Sequence, residues 1–410
     1  MAKVLITSLG AGQKRDGGYQ TANYQLDGKV YYNESIVARN YCDHYKIDKV
    51  FVIGTNKSLW DELFHRFGGD EDGYLQLYET KEKTGLDEND LIRVEQQLDL
   101  ALNSNGSKCF IVQFGVDESE LITNFSIYLN VSQFIEPGDE VYLDVTHSFR
   151  SLALMSFVML SYIMEVKTTE FKVEKILYAM FENKIFSEDA KCQVVPVVDL
   201  SVLFDTIRWI KAISYFKNFG NAQMLSQLCQ EKNDNTVKGA MKQLADSFSL
   251  NDLHNIGECL QRLKHNSMLI KGLKNIPYAK GIVNDIEMLL NRFHPENQAQ
   301  FQFELAEWYY ENKAYGLSYL CLAEAIVSKT CVRMQFNPSS KEGRENAKAA
   351  LFNDDYATDL PNELKPIRDT FRDINQIRNA IAHQTDYNNA KPEDNIMKLK
   401  QYLGNCKLLR

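Results

Sequence analysis

The chain has 410 residues, 44% hydrophobic and 25% charged, with a formal net charge of −9. That length and balance describe an ordinary globular chain of two or three domains with a sizeable core. The negative charge excludes wholesale coating of nucleic acid, so any RNA contact has to come from a local basic patch.

The opening Met1 to Ser8 moves straight into a strand-like run rather than a leader. No apolar run of about 18 residues follows, so a membrane span is not expected and the chain is placed in the cytoplasm. Strand-like runs at Lys3 to Ser8, Asp48 to Thr55, Lys108 to Gly115 and Glu140 to Val145 alternate with segments near 34–46, 57–66, 88–104 and 118–134. These segments are long enough for crossover helices, which predicts a parallel sheet buried on both faces. Between the first strand and first helix, Tyr19 to Leu26 and Lys29 to Tyr32 flank Asp27-Gly28 and read as a hairpin. Phe171 to Glu182 and Gln193 to Asp199 add two more strands. Past Leu200 the apolar residues recur at three- and four-residue spacing to the end, so the rest is helical. The fold class is thus a Rossmann-like α/β domain at 1–199, a helical connecting region at 200–297 and an all-α bundle at 298–410. The eight cysteines show no C-x-x-C pair or zinc-ligand spacing and read as reduced packing residues.

In open parallel sheets, ligands bind beyond the carboxyl ends of the strands. Two such ends stand out. The first strand runs into Ser8-Leu9-Gly10-Ala11-Gly12, where small residues let a ligand approach the backbone. The strand from Glu140 runs into Asp144-Val145-Thr146-His147-Ser148-Phe149-Arg150-Ser151, with Ser148 placed to cap the next helix. Hydroxyls, an imidazole and a guanidinium at one helix start suit phosphate or a base edge; a capping cluster with Arg150 paired to a carboxylate is the structural alternative. Thr55 and Asn56 end a third strand that can line the same crevice. A dinucleotide fingerprint starting at Gly10-x-Gly12 fails, because its third glycine falls at Arg15.

Residues 361–410 hold nine Lys/Arg against six Asp/Glu, a local +3 that leaves −12 for the rest. Within that basic end stands Arg378-Asn379-Ala380-Ile381-Ala382-His383. RNA can be cut by its own 2′-hydroxyl if one group accepts that proton, another steadies the phosphorane and another protonates the leaving oxygen. Histidine and arginine suit these tasks. On one helix Arg378 and His383 sit about 140° apart, so a kink near the motif, the length of the Arg side chain or a second copy across a two-fold axis is needed to build one pocket. Arg39-Asn40-Tyr41-Cys42-Asp43-His44 repeats the spacing inside the α/β half, where it reads as a surface helix without function.

Together, Ser8-Leu9-Gly10, the run Asp144 to Ser151 and Arg378-Asn379-x-x-x-His383 resemble the CRISPR-associated ribonucleases of type III systems that join a CARF sensor to a HEPN effector. The resemblance implies a homodimer or higher homo-oligomer whose sensor binds a cyclic oligoadenylate, tetra-adenylate ahead of hexa-adenylate, and thereby activates metal-independent cutting of single-stranded RNA. It implies no cofactor. By the same resemblance Ser8, Leu9, Gly10, Thr55, Asn56, Thr146, His147, Ser148 and Arg150 line the ring site, and Arg378, Asn379 and His383 form the cutting site. The segment Phe303 to Val327, with Glu324 on an otherwise apolar helix, resembles the preceding HEPN helices and is assigned to packing. Residues 200–297 match no motif. Two rivals stand beside this reading: a ligand-responsive regulator whose helical region binds DNA or protein without catalysis, and a sensor that slowly degrades its own ring.

Overall fold

β1 (Lys3–Leu9) is an interior strand of the first sheet, paired on both sides, and its side chains alternate between two cores. The computed structural model describes residues 1–12, 14–15, 18–147, 150–166, 171–219, 221–231, 235–265, 283–284, 287–288, 291–293, 296–354, 360–383 and 391–409. They divide into two compact units, Met1–Asp205 and Thr206–Arg410.

In the first unit, β1 is followed by β2 (Lys14–Arg15), β3 (Gly18–Tyr19), β4 (Ala22–Leu26), β5 (Lys29–Glu34), α1 (Val37–Tyr45), β6 (Lys49–Gly54), α2 (Trp60–Arg66), α3 (Glu71–Lys83) and α4 (Glu88–Leu102). Then come β7 (Lys108–Ile111), α5 (Glu118–Val131), β8 (Glu140–Asp144), α6 (Arg150–Val166), β9 (Lys172–Ala179), β10 (Ile185–Ser187) and β11 (Cys192–Asp199). The main sheet runs β5-β4-β11-β9-β8-β1-β6-β7, with β10 on β11. The pairs β1 with β6, β1 with β8, β6 with β7 and β8 with β9 are parallel, whereas β11 runs antiparallel to β9. Leu5, Val50 and Val52 face a core built with α1, α2 and α4; Val4, Ile6, Phe51 and Ile53 face one built with α5 and α6. Both faces are therefore covered, as the apolar runs required.

Two details depart from the sequence reading. The strand from Lys108 stops at Ile111 rather than Gly115, whose backbone is left-handed (φ 78°). In the hairpin, Tyr24 faces Tyr31 and Leu26 faces Lys29 around Asp27 and Gly28. Both turn residues have positive φ, the requirement of a type I′ turn, but Tyr19 belongs to a separate pairing of β3 with β2. That short pairing occupies the place where a dinucleotide fingerprint needs a helix.

The second unit is helical among its described residues. The division falls within α7 (Ser201–Phe219), followed by α8 (Gln223–Glu231), α9 (Asn235–Leu250), α10 (Leu253–His265), α11 (Gln298–Glu311), α12 (Tyr315–Arg333), α13 (Lys341–Phe352), α14 (Lys365–His383) and α15 (Pro392–Asn405). On α14, Ile367, Thr370, Phe371, Ile374 and Ile377 form one buried stripe at helical spacing. Most of α12 is buried, and Tyr319, Leu322, Ile326 and Phe371 share its core. Cys42, Cys109, Cys259, Cys321, Cys331 and Cys406 are buried free thiols. Among the described residues no helix is long and apolar enough to cross a membrane.

Candidate ligand cleft and candidate active site

The carboxyl ends of β1, β6 and β8 are bound into one floor. Thr7 lies opposite Asp144, and its hydroxyl donates to Asp144 Oδ2 at 2.6 Å. The Thr146 N–H donates to the other carboxylate oxygen at 2.9 Å. Asp144 is fully buried, and this desolvation raises its pKa to about 6 against the opposing pull of those hydrogen bonds. Ser58 Oγ donates to the Leu9 carbonyl at 2.6 Å, and the Leu59 N–H to the Gly10 carbonyl at 2.9 Å. A Cβ at Gly10 would meet the His147 carbonyl at 3.2 Å, and one at Gly12 (φ +70°) would strike the Leu59 side chain. These glycines let the loops after β1, β6 and β8 close together.

Above that floor lies a cleft of about 400 Å³, a size suited to a small ligand. Gly10, Thr146 and His147 line it. Thr146 Oγ1 accepts from the Ala179 N–H at 2.9 Å, which fixes the loop against β9. His147 Nε2 is 3.4 Å from the Tyr24 hydroxyl, and its ring packs against Phe181. Burial lowers the imidazole pKa to about 4, so it is neutral at pH 7. The remaining sequence candidates lie elsewhere. Ser8 and Leu9 are buried in β1. Thr55 is buried in the turn before α2, its N–H donating to Ser58 Oγ at 2.9 Å. Asn56 packs under Gly85, and its carbonyl accepts from the Leu86 N–H. Ser148 lies outside the described residues, and Arg150 is the first residue of α6.

Tyr19, Gln20, Ser35, Leu59 and Phe181 also line the cleft and were not singled out from sequence. Behind Tyr19 stands a buried ion pair: Lys81 Nζ donates to Asp61 Oδ1 at 2.5 Å and to the Tyr19 hydroxyl at 2.7 Å. The Tyr19 hydroxyl donates to Asp61 Oδ2 at 2.7 Å. Ser35 donates to Glu62, which also pairs with Arg66. One wall of the cleft therefore rests on a charged network with its polar groups satisfied by one another.

The second candidate site is at the end of α14. Arg378 Nη1 donates to Asn379 Oδ1 at 3.0 Å, and Nη2 lies 3.4 Å from Glu324 Oε1. Arg378 Nε is buried without a hydrogen-bond partner. His383, the last residue of the helix, is exposed. Glu324 also accepts from Arg344, so its assignment to packing is incomplete: it is the shared anion of two guanidinium groups on a largely buried helix. The earlier Arg39 to His44 repeat is engaged differently. Arg39 pairs with Asp43 and covers the Phe67 ring, while His44 meets the Tyr31 hydroxyl at 3.1 Å and Asp27 at 3.4 Å. One side of α1 is buried, so it is not purely a surface helix.

Comparison with known proteins assigns the fold. Residues 4–182 match the family described as the CARF domain of the CRISPR system endoribonuclease Csx1, and residues 205–296 match the second domain of the CRISPR-associated protein MJ1674. Over its whole length the chain is 30% identical to the CRISPR-associated protein MJ1674 of Methanocaldococcus jannaschii, spanning 67% of that protein. The chain is a CARF-containing CRISPR-associated protein of type III systems. Its α/β unit is the CARF domain, and the cleft above β1 and β8 is a feature of that domain. Among solved structures it is similar to Enterococcus italicus Csm6 bound to cyclic hexa-2′-fluoro-hexa-dAMP, at 13% identity and a TM-score of 0.44, covering all of this chain and 93% of the other.

Proposed function

We infer that this CARF protein is a cyclic-oligoadenylate-activated, metal-independent endoribonuclease with a HEPN-like effector at 298–410. The observation that carries the ribonuclease reading is the placement of Arg378, Asn379 and exposed His383 on the last two turns of one helix. The matched CARF family takes its description from an endoribonuclease, which supports the same reading. For the sensor, support comes from the cleft at the carboxyl ends of β1 and β8, lined by Thr146 and His147 beside the start of α6. Gly10, Thr146, His147 and Arg150 are assigned to that ring site, with tetra-adenylate ahead of hexa-adenylate as activator.

In this mechanism the 2′-oxygen of RNA attacks the neighbouring phosphorus as His383 of one chain accepts its proton. The bond from phosphorus to the 5′-oxygen breaks, and His383 of a second chain protonates the leaving oxygen. The products are a 2′,3′-cyclic phosphate and a 5′-hydroxyl. Arg378 steadies the charge on the phosphorane, and Asn379 orients Arg378. A dimer is supported by two exposed apolar features: Leu154, Val158 and Tyr162 at four-residue spacing on α6, and Ile381 beside the motif on α14. The ring can switch the enzyme only through a difference in its affinity for the resting and active arrangements of two chains.

The pairing of Arg378 with Glu324 favours a second reading, in which the motif is structural and the protein is a ligand-responsive regulator. Incubation of the full chain with unstructured RNA and a chelator, with and without cyclic tetra- or hexa-adenylate, separates them. Ring-dependent cutting supports the ribonuclease; inertness with tight ring binding supports the regulator.

A further inference from the structure

Glu324 faces two ways. Its Oε1 lies toward Arg378, while its Oε2 accepts from Arg344 at the wall of a separate cleft of about 760 Å³ in the second unit. Gln298, Phe301 and Gln302 of α11 line that cleft, facing Glu258 of α10. Its charges are already committed. Arg344 donates to Glu324, to Ser328 Oγ at 3.0 Å and to the Pro338 carbonyl at 3.2 Å, and Glu258 pairs with Arg262 at 2.9 Å and lies 3.3 Å from Nε2 of His254, the other ionisable side chain of the lining. No strong excess of positive charge is left to hold a phosphate. What remains of the lining is mainly amide edges, beside the Phe301 ring, which is 3% exposed and packs against Phe293. Among them, Gln302 is 6% exposed, and its Oε1 has no hydrogen-bond partner. A buried acceptor without a partner is costly, and a ligand that brings a donor relieves the cost.

The geometry points to a nucleobase subsite: the cleft takes one unstacked base of the RNA strand whose phosphate lies at Arg378, and Gln302 reads its exocyclic amino group. This rests on the ribonuclease reading of Arg378 and His383. Single-stranded RNA is recognised by splaying out bases against aromatic side chains and hydrogen-bonding their edges. A glutamine amide matches the donor and acceptor of adenine, and a carboxylate or amide oxygen accepts from the amino group of cytosine. Uracil presents a carbonyl at that position and leaves the Gln302 oxygen unpaired. The single carboxylate shared by Arg344 and Arg378 puts the subsite one side chain away from the cutting motif.

The test uses the full chain with cyclic tetra- and, in parallel, hexa-adenylate. Short 2′-O-methyl RNAs that cannot be cut and differ at one base are measured by fluorescence anisotropy, and the matching ribo-oligonucleotides are measured for cutting. Adenine or cytosine at one position is expected to bind at least about fivefold tighter than uracil, and Gln302→Leu should bring that ratio to within about twofold. Gln298→Ala, at the half-buried start of α11, should narrow it as well. Equal affinities for the three bases at every position, or a ratio untouched in both variants, overturns the subsite. Base-dependent binding lost in the variants, without cutting by the wild type, supports the subsite and overturns the ribonuclease reading. Cutting whose base preference survives both substitutions does the reverse.

Discussion

Glu324 Oε1 lies 3.4 Å from Nη2 of Arg378. The same carboxylate also accepts from Arg344, so a single anion on α12 joins a cation on α13 to one on α14. Replacing it with glutamine leaves two half-buried guanidinium groups facing each other without that charge. Glu324→Gln should therefore lower stability by about 1–3 kcal/mol and weaken cutting, because Arg378 loses its positioning partner. Thermal unfolding and single-turnover cleavage check both effects. An unchanged melting midpoint together with an unchanged rate would show that the pair does not hold Arg378.

His383→Ala should reduce RNA cutting by at least about 100-fold, the lower range for loss of a proton-transferring group. Ring affinity, measured by calorimetry, should stay within about twofold. His44→Ala serves as the control, since His44 is held by Tyr31 and Asp27 in the α/β unit. Equal cutting by wild type and His383→Ala would move the active site elsewhere.

Asp144 links the floor of the CARF cleft to pH. Its pKa is raised by burial to about 6, above its ordinary value of 3.8. The native state thus binds the proton more tightly than the unfolded chain, and stability falls as pH rises from about 4 to about 6. Ionisation of this group costs about 3 kcal/mol once complete. His147, held at about 4, acts with the opposite sign over an overlapping range, so the wild-type profile alone does not isolate Asp144. The difference in unfolding free energy between wild type and Asp144→Asn should change across that window and be flat above about pH 7. A difference independent of pH would remove Asp144 as a titrating group.

Lys81 is almost fully buried against Asp61 and Tyr19. Removing its charge strands a buried carboxylate, so Lys81→Met should destabilise the protein by about 3–5 kcal/mol. Lys81→Met with Asp61→Leu should recover much of that loss. Denaturant unfolding of both variants decides it; a double variant no more stable than the single would show that the pair is not what holds this wall.

Much of the α/β unit was legible because its strands are continuous apolar runs and two of its longer helices begin at polar caps, Asp87 and Asp117. α3 escaped the periodic pattern for a physical reason: its buried stripe is Gly73, Leu77 and Lys81, of which only one is a large apolar residue. The charged wall of the cleft was hidden on the same account, since a lysine in an acidic helix reads as a solvated face until its partner across the fold is known. Gly10, Thr146 and His147 could be placed at one crevice because strand ends converge in a parallel sheet. The inward turn of Thr55, by contrast, depends on Ser58 and Trp60, whose hydrogen bonds to it leave no trace in composition. Glu324 was visible as a lone acid on an apolar helix, and its two arginine partners lie 20 and 54 residues away.

In the proposed function, a ring bound to the CARF unit turns on RNA cutting at Arg378 and His383. The most direct measurement titrates cyclic tetra-adenylate against cleavage of a fluorescent single-stranded RNA by the full chain in the presence of a chelator, beside His383→Ala. Saturable, ring-dependent cutting by the wild type and none by the variant is the expected result. Cutting that ignores the ring, that requires added metal, or that persists in His383→Ala would contradict it.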